Sequence, residues 1–201
     1  MQTLDPKKRR DILKAAEALF AKRPFHEVTL DQVAARAKIG KGTLYIYFRS
    51  KEDLYVGLIS EAFTQLLERM REHCGRPVAG AGASSMQQLE FLVEELVLFS
   101  TARPHMYRLV RTLLPKRCEI EIRPLRGQIV SLLREAIESG IRCGEMRDAH
   151  PEMTAQYIMG AMRGVVVFTP DHPDAREVTK HIMQVFGSGL SCTKESQSWH
   201  A

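Results

Sequence analysis

The sequence predicts an all-α fold, with an N-terminal three-helix helix-turn-helix unit followed by a larger helical body. Three observations predict this fold. Apolar residues recur at three- and four-residue spacing along most of the 201-residue chain. Helix-start signals precede several of these runs, and no segment shows the alternating pattern of a half-buried strand. With 44% hydrophobic residues, the chain has enough apolar side chains to form a core.

The first two helices are predicted from their starting residues. Asp5-Pro6 marks the first, because aspartate accepts hydrogen bonds from free N–H groups and proline fits the first helical position. Its apolar pattern stops near Pro24. Thr29 and Gln32 have the spacing of a capping box. A second helix is therefore expected to start near residue 30 and to end near residue 38.

The third helix is short and the fourth is long. A turn that ends at Gly40 leads into the third helix, which is expected to end near Phe48. Leu44 and Phe48 lie four residues apart, so both are expected to face inward. Ser50 and Asp53 have the spacing of another helix start, and the helix that follows is expected to continue to about residue 73.

The body is predicted to begin after a stretch of small residues at 75–85. Beyond it, helical spacing resumes, first along 89–99. Gly140 and Gly144 are predicted helix stops, and His150-Pro151 is a predicted start of a helix that runs to about Phe168. Other breaks between helices are predicted at Pro104, Pro115, Pro124 and Pro173. An irregular piece is expected before Ile129. The last helix is expected to run through Phe186, and residues 189–201 to form a flexible tail.

The charge distribution indicates a polyanion-binding N-terminal part. Residues 1–55 contain 12 Lys+Arg and 7 Asp+Glu, a net charge of +5, whereas the remaining residues contain 17 of each and are neutral overall. A basic segment attached to a neutral body is typical of a protein that binds nucleic acid. The alternative is a solvated basic face without a partner.

The cytoplasm is the expected compartment. No apolar run is long enough to span a bilayer, and no secretory signal follows the basic residues 7–10, so no membrane partner is expected. The cysteines show no paired metal-ligand spacing and are interpreted as reduced intracellular thiols; they are Cys74, Cys118, Cys143 and Cys192.

The helix-turn-helix at about residues 29–48 is predicted to bind double-stranded DNA, with its second helix in the major groove. Lys41 supplies a cation for a phosphate or a guanine edge, and Gly42 lets the backbone approach DNA. Tyr45 and Tyr47 can pack against sugar or a thymine methyl and donate their hydroxyls to phosphate. The alternative is that the tyrosines are half-buried packing residues and the lysine is solvated.

These residues resemble the N-terminal domain of the TetR (tetracycline repressor-like) family of transcriptional regulators. The resemblance covers residues 6 to about 66 and is most specific in "GKGTLYIYFRSKEDL". It implies a DNA-binding domain at 6–66 and a helical ligand-binding and dimerisation domain at 84–188. It also implies that the DNA contacts fall on Thr29, Lys41, Gly42, Thr43, Tyr45, Tyr47 and Lys51.

Two positions depart from the family pattern. Gly40 stands where many members have a hydroxyl residue, so one phosphate contact is expected to be absent. Ile46 stands between the two tyrosines, where an aromatic residue or histidine is common, and is expected to contact a thymine methyl. The operator sequences of other members are therefore not transferable to this chain.

The last two long helices are expected to form a homodimer interface. One recognition helix covers few base pairs, so helix-turn-helix proteins usually dimerise, and the family resemblance implies a four-helix bundle between two copies. Small residues four apart allow close helix approach; the candidate interface residues are Met159, Gly160, Met162, Gly164, Val166 and Val185. The alternative is a helix buried within one protomer.

The resemblance also implies a pocket for a small-molecule effector of unknown identity. The candidate wall and anchor residues are Phe91, Phe99, His105, Met106, Tyr107, Met162 and Arg163. Methionine and aromatic residues at helical spacing are also what an ordinary core contains, so pocket and core remain alternatives. No cofactor and no metal site are predicted.

The sequence therefore predicts a sequence-specific DNA-binding transcriptional regulator. Repression is the family's usual mode, in which a dimer releases operator DNA when a small molecule binds the C-terminal body. The first alternative is an architectural DNA-binding protein without a ligand sensor. The second is an enzyme, which is disfavoured because no Ser-His-Asp order, P-loop, dinucleotide fingerprint or His/Cys cluster is present in the sequence.

Overall fold

The computed structural model of the chain describes residues 4–75, 84–103, 106, 120–169 and 174–191. Within these ranges the fold is all-α, as predicted, and the β contact found there is an isolated bridge between Met146 and Ser191. The chain divides into two compact units. The first contains described residues 4–64, 106 and 120–125, and the second contains the others. Several residues named above lie outside the described ranges; they are His105, Tyr107, Pro104, Pro115, Cys118, Pro173 and Cys192.

The described helices are labelled in chain order. They are α1 (Pro6–Phe20), α2 (Leu30–Arg36), α3 (Lys41–Tyr47), α4 (Lys51–Cys74), α5 (Ser85–Ala102), α6 (Arg123–Arg142), α7 (Pro151–Phe168), α8 (Ala175–Ile182) and α9 (Ser188–Leu190). A 3₁₀ turn at Phe25–Glu27 precedes α2, and a π-helical segment at Met183–Gly187 joins α8 to α9. Helix α4 begins in the first unit and ends in the second.

The helix starts of the first unit follow the predicted capping residues. Asp5 Oδ1 accepts a hydrogen bond from the Lys7 N–H at 2.8 Å. The capping box of α2 has both of its bonds, with the Gln32 N–H donating to Thr29 Oγ1 at 3.3 Å and the Thr29 N–H donating to Gln32 Oε1 at 3.0 Å. Ser50 precedes α4 and its Oγ accepts from the Asp53 N–H at 3.0 Å. These bonds satisfy N–H groups that have no partner inside a helix.

The core of the first unit is partly aromatic. The ring centroids of Phe20, Phe25 and Tyr55 lie 4.9–5.6 Å apart, in stacked and edge-to-face arrangements. Val33 of α2 and Leu44 of α3 are fully buried. Burying one such large apolar side chain contributes about 1.5–3 kcal/mol, so this core fixes α2 and α3 in place.

The second unit is built around α5. A capping box of Ser84 and Gln87 starts this helix, with bonds of 3.2 and 3.1 Å. The predicted apolar stripe along 89–99 is buried. Helix α6 adds a buried face that includes Ile129 and Leu133, and α7 adds Ala155 and Ile158. Of the expected tail, residues 189–191 are described, and there Leu190 is buried.

Two predictions about helix limits are wrong. Gly140 does not end a helix, since α6 continues to Arg142; an added Cβ at Gly140 would lie 2.6 Å from Met146 Sδ, so close packing explains this glycine. The true stop is Gly144, whose φ of 74° favours glycine. Helix α6 also begins earlier than expected, with Pro124 in its first turn, where a missing N–H does no harm. The last helix runs through Phe186 as expected, and residues 183–187 form a π-helical turn within it.

A membrane-spanning helix is absent from the part of the chain that the structure describes: none of its helices is both long and apolar enough to cross a bilayer.

Candidate nucleic-acid interface

The turn between α2 and α3 has a left-handed residue that is not glycine. Lys38 has φ 55°, and the following Ile39 N–H donates to the Ala34 carbonyl at 3.0 Å. Gly40, in contrast, is the N-cap of α3 with φ −69° and ψ 149°, an extended conformation that any residue adopts. No side chain caps this helix start. The sequence analysis singled out Gly40, but the left-handed backbone conformation that favours glycine occurs at Lys38.

Helix α3 separates an inward side from an outward side. Leu44 and the following Phe48 are buried, as predicted. Lys41, Gly42, Tyr45 and Ile46 are exposed and lie on one face, because their spacing of one and four residues keeps them together on a helix. Ile46 is 66% exposed. An added Cβ at Gly42 would meet nothing within 4 Å, so the protein itself does not require glycine there.

Lys41 is paired with a carboxylate of the neighbouring helix. Its Nζ lies 2.8 Å from Asp31 Oδ1 and 3.0 Å from Oδ2, and both side chains are exposed. The hydrogen bond and the negative charge of Asp31 raise the pKa of Lys41 above its ordinary value of 10.5. The ammonium is therefore charged at neutral pH, but it already has a partner.

Tyr47 connects α3 to the start of α1. Its hydroxyl oxygen accepts a hydrogen bond from the Asp5 N–H at 3.2 Å. A phenolic hydroxyl can accept one bond and donate another. The predicted donation from Tyr47 to a phosphate is therefore compatible with the bond to α1.

Lys51 is engaged within the first unit. Its Nζ donates to the Phe25 carbonyl at 2.9 Å and lies 3.4 Å from the His26 carbonyl oxygen. It also sits 4.5 Å from the centroid of the Phe25 ring. Lys51 thus fastens the start of α4 to the 3₁₀ turn, and a phosphate contact through its remaining N–H stays a prediction.

The two predicted threonine contacts have different surroundings. Thr29 is exposed, and its hydroxyl already accepts the capping bond, which leaves its O–H to donate. Thr43 is half-buried. The sequence reasoning missed Asp31 and Lys38. Asp31 lies ten residues before Lys41 on another helix, and no spacing in the sequence pointed to either residue.

The candidate effector residues lie in different surroundings. Phe99 and Met162 are buried, and the Ser100 Oγ lies 3.2 Å from Met162 Sδ in the same unit. Phe91 is half-buried and stacks on the ring of His73 at a centroid distance of 3.5 Å. Met106 is buried in the first unit and Arg163 is exposed in the second. His105 and Tyr107 lie outside the described residues.

The candidate dimer residues divide into buried and exposed ones. Met159 and Met162 are buried within their own unit, whereas Gly160 and Val185 are exposed and Gly164 is half-buried; the side chain of Val166 lies outside the described residues. On the outward face of α7, the exposed apolar residues at 153, 157 and 168 lie in line with the two glycines; they are Met153, Tyr157 and Phe168. We call these five residues the α7 stripe.

The His, Cys, Asp and Glu side chains of the described residues bear on metal binding. Among the described residues, no group of three or more His, Cys, Asp or Glu side chains could hold a metal ion. Cys74 is half-buried and Cys143 is exposed, and both are free thiols.

Two family models match the chain. The model of the bacterial regulatory proteins of the tetR family matches residues 12–58, which contain α2 and α3. The model of the tetracyclin repressor-like C-terminal domain matches residues 82–190, more than half of the chain. The chain belongs to the TetR family. The resemblance stated from the sequence is confirmed, and this TetR-family protein is a DNA-binding, ligand-responsive transcriptional regulator.

Similar proteins agree with this membership. The TetR-family chain is 24% identical over 188 residues to the fatty acid metabolism regulator protein of Bacillus subtilis (strain 168), across 89% of this chain and 93% of that protein. It is 30% identical over 151 residues to an uncharacterised HTH-type transcriptional regulator, YhgD, of the same strain, across 72% and 74%. A crystal structure of the regulator FadR from Bacillus subtilis in complex with stearoyl-CoA has a TM-score of 0.74 at 20% identity, covering 90% of this chain and 98% of that chain. This last likeness concerns the fold.

Proposed function

We propose that this TetR-family chain is a homodimeric repressor that binds operator DNA through 6–66 and senses a small molecule through 84–188. Two copies place α3 in successive major grooves, and the effector lowers their joint affinity for the operator. The observation that carries the DNA-binding part is the outward face of α3. Lys41, Gly42, Tyr45 and Ile46 are exposed there, while the opposite side of the helix is held in the core.

Selection from a random-sequence pool of DNA duplexes tests the DNA-binding part. Ile46 and Tyr45 are expected to contact thymine methyls or sugars, and a good base contact is worth about 1–3 kcal/mol of discrimination. Ile46→Ala and Tyr45→Ala should therefore weaken binding to the selected duplex at least about fivefold. Affinity for random DNA should change little where the lost contact is to a base, and by the same factor where it is to a sugar. Leu98→Ala removes an exposed apolar side chain of α5 without changing the charge and is the matched control. Equal binding of selected and random DNA by the wild type would favour an architectural DNA-binding protein instead.

The α7 stripe supports the homodimer. Large apolar side chains exposed in line are typical of protein interfaces, and the two glycines let a second helix approach closely. Tyr157→Asp places a charge in the middle of this stripe and should shift sedimentation equilibrium towards the monomer. Leu98→Asp, at an exposed apolar residue of α5, is the control and should leave the dimer intact. A wild-type chain that stays monomeric at micromolar concentration would contradict the homodimer.

The effector proposed for the first test is a long-chain acyl-CoA. The similar Bacillus subtilis proteins support this class, one as a fatty acid metabolism regulator and one in complex with stearoyl-CoA. Phe99 and Met162 are apolar residues of the second unit that an acyl chain would contact on entering its core. A ligand that binds the folded chain raises its melting temperature by mass action, and a ligand that prefers the non-binding arrangement releases DNA. Stearoyl-CoA should do both, and free CoA neither; no effect of stearoyl-CoA would exclude this class.

Enzymatic activity is the weaker alternative. The curated relatives reported above are regulators by name. Turnover of stearoyl-CoA during the release experiment, followed by free thiol, would favour an enzyme over a sensor.

A further inference from the structure

The ion pair between Asp31 and Lys41 places a negative charge beside the proposed DNA-binding face. Asp31 is the second residue of α2, and Lys41 is the first residue of α3. The two oxygens of the carboxylate lie 2.8 and 3.0 Å from the ammonium nitrogen. The side chains are 62% and 60% exposed, so both groups remain accessible to a partner.

Stability alone does not account for this pair. Exposed ion pairs contribute little to folding, because water and salt screen the attraction and two long side chains lose freedom. The buried residues Val33 and Leu44 already hold α2 and α3 in the core. A carboxylate on a surface that approaches phosphates also repels DNA. If Asp31 contributes to DNA recognition, its contribution therefore has to exceed this repulsion.

The pair changes what Lys41 contributes to different DNA sequences. Binding to random DNA depends on cations that replace the counterions of phosphates. Because Asp31 balances the charge of Lys41, Lys41 replaces few of these counterions. At a site where guanine O6 and N7, or a fixed phosphate, lie within reach, these acceptors compete with the carboxylate for the ammonium. Lys41 then contributes at that site and little elsewhere.

We propose that Asp31 is a specificity-determining residue, which keeps Lys41 from binding DNA of any sequence and leaves it available for the correct site. This inference rests on the proposed DNA-binding function. Asp31 acts through Lys41 and not through the DNA bases. Its removal therefore raises affinity for random DNA more than affinity for the operator.

The test compares binding of selected and random duplexes over a salt titration. Asp31→Asn should steepen the slope of log K against log salt for random DNA by about 0.9 per head and raise that affinity on the order of five- to tenfold near 0.1 M salt. Affinity for the selected duplex should change less, so the ratio of affinity for the selected duplex to affinity for random DNA falls. Asp31→Glu retains a carboxylate and should restore most of the ratio.

Two further variants separate this role from a general charge effect. Asp11→Asn removes the same charge from an exposed position of α1 and should leave the affinity ratio unchanged. In a Lys41→Ala background, Asp31→Asn should have no more effect than Asp11→Asn, because its target is gone. Thermal melts of each variant confirm that it is folded.

The outcomes are distinguishable. An unchanged ratio in Asp31→Asn, or an equal change in Asp11→Asn, overturns the role of Asp31 while operator binding by the wild type stands. A persistent effect of Asp31→Asn in the Lys41→Ala background also overturns it. If selection with the wild-type chain enriches no DNA sequence, the proposed function is overturned, and this inference with it.

Discussion

Replacing Lys38 with glycine is expected to stabilise the protein. Among the described residues, Lys38 is the one non-glycine residue with positive φ, at 55°. In this left-handed conformation the Cβ crowds the following carbonyl, which costs an L-residue about 1–2 kcal/mol. Glycine has no such clash but loses more backbone freedom on folding, at a cost of about 0.5–1 kcal/mol. The difference is a gain of up to about 1.5 kcal/mol in the free energy of unfolding for Lys38→Gly, with a central value of about 0.75 kcal/mol.

Thermal unfolding followed by circular dichroism measures this gain. For a chain of this length, 1 kcal/mol shifts Tm by about 2–4 °C, so Lys38→Gly should raise Tm by about 1–4 °C. Lys38→Ala removes the same charge but keeps a Cβ, and should leave Tm nearly unchanged. Lys22→Gly places glycine at an exposed position after α1 where φ is not positive, and should lower Tm. A lower Tm for Lys38→Gly, or an equal rise for Lys38→Ala, would refute the argument from backbone strain.

Four further variants test other features of the two units. Tyr47→Phe removes the hydroxyl that accepts from the N–H at the start of α1 and that is the proposed phosphate donor. It should lower the free energy of unfolding in urea by about 0.5–1.5 kcal/mol and weaken binding to selected and random DNA alike. Unchanged DNA binding would contradict the phosphate contact. Gly140→Ala forces a Cβ to within 2.6 Å of Met146 and should cost about 1–3 kcal/mol. Gly127→Ala, on the same helix with open space around it, should instead gain about 0.5–1 kcal/mol, and equal effects of the two would show that packing at Met146 is loose. Tyr157→Asp should raise the dimer dissociation constant at least about tenfold by desolvating a charge in the α7 stripe, as measured by sedimentation.

Helix starts were predictable because their signals are local. Asp5 and the pair of Thr29 and Gln32 act through bonds to N–H groups two or three residues away, and the structure has these bonds. The inward direction of Leu44 and Phe48 follows from helical spacing in the same way. Such features depend on neighbours in sequence, which a single chain displays directly.

Features that depend on distant residues were missed or misassigned. Gly140 carries the same sequence signal as a helix stop, but its role is set by Met146, which packs back against it. The partner of Lys41 is ten residues away on another helix, so its spacing gave no indication of the pair. Met159 and Met162 were expected at the dimer interface beside the small residues of α7, whereas the structure buries them in their own unit and leaves Tyr157 exposed.

The π-helical segment at 183–187 lets the C-terminal helix contain one residue more than a regular α-helix between the same two end points. It has a wider turn than the α-helix before it, which accommodates an additional residue. Beyond it, the Leu190 carbonyl accepts a bond from the Arg147 N–H at 2.7 Å. Because the wider turn takes up the additional residue locally, deleting one residue here is expected to leave a regular α-helix, with Leu190 and its bond to Arg147 kept in place. The C-terminal helix therefore tolerates a change of one residue in length at this turn while the two ends of the helix stay where they are.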